Sequence, residues 1–222
     1  FGLHSRIDDR VQEVMERLRA GNAYVNRNQI GAVVGSQPFG GEGLSGTGPK
    51  AGGPDYLARF IRAAAPPQGK AGEPVTEAEV VRRLAQVPPV APGEPEDMPG
   101  PTGESNRLVL VPRAPVLCLG PGAGAALEQA EEIRRHGGRA VEAPDLAPPA
   151  LTGMSGISGA LWWGEPDAGR GYAQALAARP GPILPLIGGL PDRAHACLER
   201  HVCIDTTASG GNAKLLADVA ED

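Results

Sequence analysis

Aromatic side chains are scarce, at 4% of the 222 residues, while 32 glycines and 23 prolines make up about a quarter of the chain. Hydrophobic residues reach 41%, enough for a core, so the composition sits between globular and loop-rich proteins. Only three cysteines occur, Cys118, Cys197 and Cys203. They form no Cys-x-x-Cys pair and are odd in number, which suits a reducing, cytoplasmic setting better than a disulfide framework. No run of 18 apolar residues is present, so no membrane-spanning helix is expected. An excess of Lys and Arg is also missing. The net charge is −5; residues 1–63 carry eight basic and six acidic side chains, and the remainder thirteen and twenty. That balance argues against nucleic-acid binding, which needs patches that neutralise phosphate. His4, His136, His195 and His201 lack the i, i+4 pairing of a metal site. The chain lacks an initiator methionine and opens on Phe1-Gly2-Leu3-His4, so a piece of a longer polypeptide is expected.

What is present divides into three stretches: 1–63, a Pro/Gly-rich linker over 64–104, and 105–222. In the first, Val11, Val14, Met15 and Leu18 recur at helical spacing and predict a helix over 8–20, with Gly21 as its stop. A strand is expected around Tyr24 and Val25, then a long loop over 26–53, then a short helix over 54–63 with Leu57, Phe60 and Ile61 on one face. Residues 66–103 hold nine prolines and five glycines. Within them Thr76 to Glu79 forms a capping box ahead of an apolar face at Val80, Leu84 and Val87.

From 105 onward strands alternate with helices. Strands are read at 108–111, 116–119, 139–142, 157–163, 183–187 and 203–205, and helices at 125–136, 171–178 and 193–199. That alternation predicts an α/β fold with a mostly parallel, doubly wound sheet. Cys118, Cys197 and Cys203 read as small core residues, and Trp162-Trp163 as packing. Gly120-Pro121-Gly122-Ala123-Gly124-Ala125 follows a strand and opens a helix, like a dinucleotide loop. It lacks the glycine that the full spacing requires at 125. Glu142 stands where a ribose-binding acid would, but a tight strand-to-helix turn is the favoured reading.

The most informative segment runs from Gly21 to Pro54. Seven of the fourteen residues 40–53 are glycine. Such density permits positive φ and close backbone approach, and consecutive exposed N–H groups can cradle an anion such as a carboxylate. Phe39, between Pro38 and Gly40, is a lone aromatic suited to lining a small pocket. On composition alone, a surface loop without ligand competes about evenly with these uses.

Asn22-x-x-Val25-Asn26, Pro38-Phe39-Gly40-Gly41 and Ser45-Gly46 resemble the C-terminal signature of the aldehyde dehydrogenase superfamily. The longer runs Arg27 to Gly35 and Glu42 to Pro54 resemble the L-glutamate γ-semialdehyde dehydrogenase domain of the bifunctional proline utilisation A family. The resemblance covers residues 1–63. It implies oxidation of the semialdehyde to glutamate with NAD, by attack of a cysteine thiolate and hydrolysis by a glutamate-activated water. It implies that Gly31 and Ala32 bind the substrate's α-carboxylate through backbone N–H groups, that Phe39 lines the aldehyde pocket, and that Ser36 adds a polar contact. The family's Gly-Gln-x-Cys nucleophile motif is missing here. Nucleophile, base and main NAD site are therefore expected upstream, with FAD in an upstream proline dehydrogenase domain, and this piece alone is expected to be inactive.

Residues 105–216, with Asn106-Arg107-Leu108 and the closing Thr206 to Ala213, resemble the extra C-terminal domain of long family members. That domain is a Rossmann-like aldehyde dehydrogenase module without activity. It implies a structural role: covering the route between active sites and supporting a homo-oligomer. The alternatives are a non-catalytic lid or assembly module, or an independent dinucleotide-binding protein.

Overall fold

The computed structural model describes residues 1–46, 48–61, 65–67 and 69–207. In chain order the elements are β1 (Gly2–Leu3), α1 (Asp8–Arg17), β2 (Asn22–Val25), α2 (Glu77–Gln86), β3 (Glu96–Met98), β4 (Glu104–Pro112), β5 (Val116–Cys118), α3 (Gly122–Arg135), β6 (Ala140–Glu142), α4 (Ala150–Gly153), β7 (Gly159–Leu161), α5 (Pro166–Ala177), β8 (Leu186–Ile187), α6 (Arg193–Ala196) and β9 (Cys197–Asp205). Two sheets result. One has the order β1-β2-β9-β4-β3; the other has the order β6-β5-β7-β8. The fold is mixed α/β.

The described residues divide into two compact units, each discontinuous in sequence: those within 1–56, 93–110 and 199–207, and those within 57–92 and 111–198. Strand β9 returns to pair in parallel with β2, Asn22 opposite His201 and Tyr24 opposite Cys203.

In the first unit, β1 also runs parallel to β2, and β3 runs antiparallel to β4. Helix α1 carries Asp8 and Asp9 in its first turn, where carboxylates complement the exposed amides. It ends at Arg17 rather than at residue 20, because Leu18 turns extended at φ −68°, ψ 133°. Gly21 is therefore not a left-handed helix stop. Its need for glycine is steric: a Cβ there would stand 2.1 Å from the Gly40 carbonyl oxygen and 2.7 Å from Lys50 Nζ. Of the expected helix over 54–63, the described residues 54–61 show a 3₁₀ turn at Leu57–Phe60, which belongs to the second unit, and Leu57, Phe60 and Ile61 are exposed.

In the second unit the sheet is wholly parallel. Its central strands β5 and β7 are buried at every position, as a sheet covered on both faces requires. Around it gather Leu117, Leu119, Leu146, Leu151, Trp162 and Leu176. Trp162 and Tyr172 meet at 5.0 Å between ring centroids, and both tryptophans are buried with their indole N–H groups donating to the Glu165 and Gly189 carbonyls. The helix inside the Pro/Gly-rich segment is α2. The Thr76 hydroxyl accepts from the Glu79 amide, and Val80 is fully buried in this core.

Helix α5 begins at Pro166, five residues before the expected start, because proline fits the first helical position. Helix α6 stops at Ala196, and the chain continues as strand from Cys197. The expectation of helix to Glu199 fails because Cys197, Glu199, His201 and Cys203 alternate at period two onto the buried face of β9. Strands β1 and β3 and helix α4 are additions to the elements read from the sequence.

Candidate functional site: the loop after the second strand

The loop leaves β2 through Asn26, at φ 58°. The Asn26 side chain closes on Ser5, accepting from its amide and donating to its carbonyl, both at 2.9 Å. Asn28 Oδ1 accepts from the Ile30 amide at 3.1 Å, a local turn that delivers the chain to Gly31 at φ 73°. Such a φ suits glycine and strains a side chain. Ser36 and Gln37 donate their amides to the Val33 carbonyl, at 3.1 and 2.7 Å, closing a tight turn over 33–37. Gly31 and Ala32 lie exposed on one side of that turn and Phe39, 54% exposed, on the other; Ser36 is half-buried. Among the described residues no protein acceptor takes the Gly31 or Ala32 amide hydrogens. Ile30 and Val34, each 84% exposed, flank the pair.

Phe39 is set by an antiparallel bridge to Ala51, with reciprocal amide-to-carbonyl bonds of 3.0 and 2.9 Å. Beneath that bridge lies a buried polar cluster that sequence reading missed. Asn22 donates to the Pro38 carbonyl at 2.8 Å and accepts from the Gly40 amide at 3.0 Å. Lys50, 2% exposed, donates its ammonium to Asn22 Oδ1 at 2.9 Å and to the Gly40 carbonyl at 2.6 Å. The Lys50 amide donates to the Glu199 carboxylate at 2.6 Å. Arg200 grips Glu42 with two donors at 2.6 and 2.8 Å. His201 is fully buried beside Asn22.

Burial decides the electrostatics. It pushes Lys50 down to about 8, against the pull of Glu199 and Glu42. It pushes His201 down to about 4, helped by the Lys50 charge, so His201 is neutral near pH 7. Cys203 is pushed up to about 11 by burial, with the Arg27 guanidinium opposing. Arg27 stands over the Tyr24 ring at 5.6 Å and donates to Cys203 Sγ at 3.1 Å. Cys118 is likewise raised by burial in β5. All three cysteines are buried and unpaired by disulfides, and neither Cys118 nor Cys203 has the low thiol pKa of a nucleophile. The signal that could have revealed this cluster was the period-two spacing of Glu199, His201 and Cys203.

The glycine turn at 120–124 follows β5 where the strand order reverses, between β6 and β7. In open parallel sheets that is the usual place for a nucleotide. Here two of its donors are engaged by the protein. Asp145 accepts from the Gly122 amide at 3.0 Å and from the Gly72 amide at 2.8 Å. Gln129 accepts from the Gly120 amide at 2.9 Å and donates to its carbonyl at 2.8 Å. A Cβ on Gly122 would stand 2.1 Å from the Lys70 carbonyl oxygen, so chain already fills this space. Glu142 is bound by Arg134 at 2.7 Å. Among the described residues no cluster of His, Cys, Asp and Glu could hold a metal ion, and no helix is long and apolar enough to cross a membrane. The resemblance noted for 208–213 falls outside the described residues.

Residues 2–65 match the aldehyde dehydrogenase family model. Over 97% of its length the chain is 34% identical to the bifunctional protein PutA of Salmonella typhimurium, covering 20% of that protein. It is 53% identical over 55 residues, 25% of this chain and 11% of the relative, to the 1-pyrroline-5-carboxylate dehydrogenase of Bacillus thuringiensis. A solved structure of proline utilization A (PutA) from Corynebacterium freiburgense superposes with a TM-score of 0.54 at 23% identity, over 92% of this chain and 22% of that one; this likeness concerns the fold. The chain spans about a fifth of the length of the PutA relative. Residues 2–65 are thus similar to the aldehyde dehydrogenase family, and over nearly its whole length the chain is a PutA-related region.

Proposed function

We propose that this chain is the C-terminal portion of a bifunctional proline-catabolic enzyme of the cytoplasm. In that enzyme it serves the oxidation of L-glutamate γ-semialdehyde to glutamate. Its contribution is binding and orientation. The Gly31 and Ala32 amides hold the substrate's α-carboxylate, Ser36 adds a polar contact, and Phe39 packs against the aliphatic chain leading to the aldehyde. The nucleophilic cysteine, the base, the NAD seat and the FAD of the proline-oxidising activity belong to upstream segments of the same polypeptide. This chain by itself is inactive.

The observation that carries the reading is the pair of unengaged adjacent amides exposed beside a tightly closed turn, directly after an Asx turn and seven residues before a presented phenylalanine. Adjacent amides stabilise an anion by two directed hydrogen bonds without bringing a counter-charge. Gripping the acid end leaves the aldehyde end free for attack, which is the use of binding energy for positioning. Residues 105–222 have a structural role, as a module that supports assembly into a homo-oligomer. The filling of the turn at 120–124 by Asp145, Gln129 and the 69–72 segment supports that role over independent dinucleotide binding.

The test is Ala32→Pro in the full-length enzyme, which deletes one donor. The KM for the semialdehyde rises roughly tenfold or more. Undiminished turnover with an unchanged KM rejects the reading.

A further inference from the structure

The amide pair sits on an exposed loop, and a loop that must order itself on binding loses affinity to entropy. Something must hold it. Glu104, the first residue of β4, reaches both ends of that loop. One carboxylate oxygen accepts from Arg27 Nη1 at 2.5 Å, where the loop begins. The other accepts from Gln37 Nε2 at 2.7 Å, where the loop closes, and from Asn106 Nδ2 at 2.8 Å. Gln37 is buried and carries the link inward: its Oε1 accepts from the Val33 amide at 3.3 Å, and Val33 is the neighbour of Ala32. Burial alone would raise the Glu104 carboxyl. The hydrogen bonds from Asn106 and Gln37 and the Arg27 charge outweigh it and hold the group below the usual carboxylate range.

We propose that Glu104 and Gln37 are positioning residues that preorganise the Gly31–Ala32 cradle. Glu104 staples the two shoulders of the loop, and Gln37 transmits that fixation to the backbone beside the amides. This assignment rests on the carboxylate-binding reading of the loop and adds a determinant 72 residues downstream of Ala32. The substrate class it selects is a short aldehyde bearing an α-carboxylate. An aldehyde without that group gains nothing from an ordered cradle.

The experiment uses the full-length enzyme and compares glutamate γ-semialdehyde with propanal. Glu104→Ala raises KM for the semialdehyde roughly tenfold and leaves KM for propanal and for NAD within about twofold. Glu104→Gln falls between, since it keeps an acceptor for Gln37 and loses the charge facing Arg27. Gln37→Leu leaves the Arg27–Glu104 pair in place and guards against misfolding of the first variant; it gives the same split at roughly threefold or more. Equal rises for both aldehydes would indicate a merely structural role and overturn the assignment. If wild-type enzyme prefers the semialdehyde and both variants retain that preference, the assignment alone falls. If wild-type enzyme shows no preference, the cradle reading falls and this assignment with it.

Discussion

The Lys50 amide donates to the Glu199 carboxylate at 2.6 Å across 149 residues of sequence. This bond ties the glycine-rich loop to β9, beside the Arg200–Glu42 pair, and the Lys50 ammonium continues the tie to Asn22 and the Gly40 carbonyl.

Lys50→Met keeps the stem volume and removes the buried cation. The Gly40 carbonyl loses its ammonium donor, so the variant is less stable by roughly 1–3 kcal/mol, read from the urea midpoint. The pH dependence changes too. Lys50 binds its proton more weakly folded, at about 8, than unfolded, at 10.5. Between those values the unfolded chain holds more protons, so this group makes stability rise with pH. In Lys50→Met that rise disappears.

His201 adds a second pH window. Its folded value of about 4 lies below the ordinary 6.5. The unfolded state binds the extra proton first, so its stabilising contribution is complete above pH 6.5 and is lost as pH falls toward 4. His201→Gln flattens the melting temperature across that interval relative to wild type. A variant whose acid loss matches wild type would contradict the buried neutral imidazole.

Gly21→Ala places a methyl group 2.1 Å from the Gly40 oxygen. Backbone must shift on both sides, and a cost of roughly 1–3 kcal/mol or more is expected. Gly21 has no positive φ to lose, so the cost is steric and not that of a left-handed helix stop. Chemical denaturation of the variant measures it, and an unchanged midpoint would contradict the close approach.

Asp145→Ala removes the acceptor shared by the Gly122 and Gly72 amides. It costs roughly 1–2 kcal/mol, as loss of a helix cap does. Calorimetric titration of the wild-type 222-residue chain with NAD yields no saturable binding in the micromolar range. Saturable micromolar binding would mean that the 120–124 turn is open to ligand.

Local sequence carried much of the second unit. Apolar runs such as Val116-Leu117-Cys118 mark strands buried on both faces, and the Thr76–Glu79 box marks the start of α2, because burial and capping act within a few residues. The glycine and Pro-Phe-Gly-Gly patterns likewise located the loop. Boundaries were less legible. Leu18 is apolar at helical spacing yet extended, and Ile183 is β-branched yet 89% exposed. Packing, not propensity, decided both.

By itself the sequence determined the alternation of strands and helices and the presence of a loop able to show bare amides, since both depend on near neighbours and backbone freedom. Only the tertiary structure decided what holds that loop. Glu104, Glu199, Arg200 and His201 look like ordinary surface charges in a linear reading. They become a buried or half-buried polar support because β9 pairs with β2 and lies beside β4, a long-range pairing that no local pattern encodes.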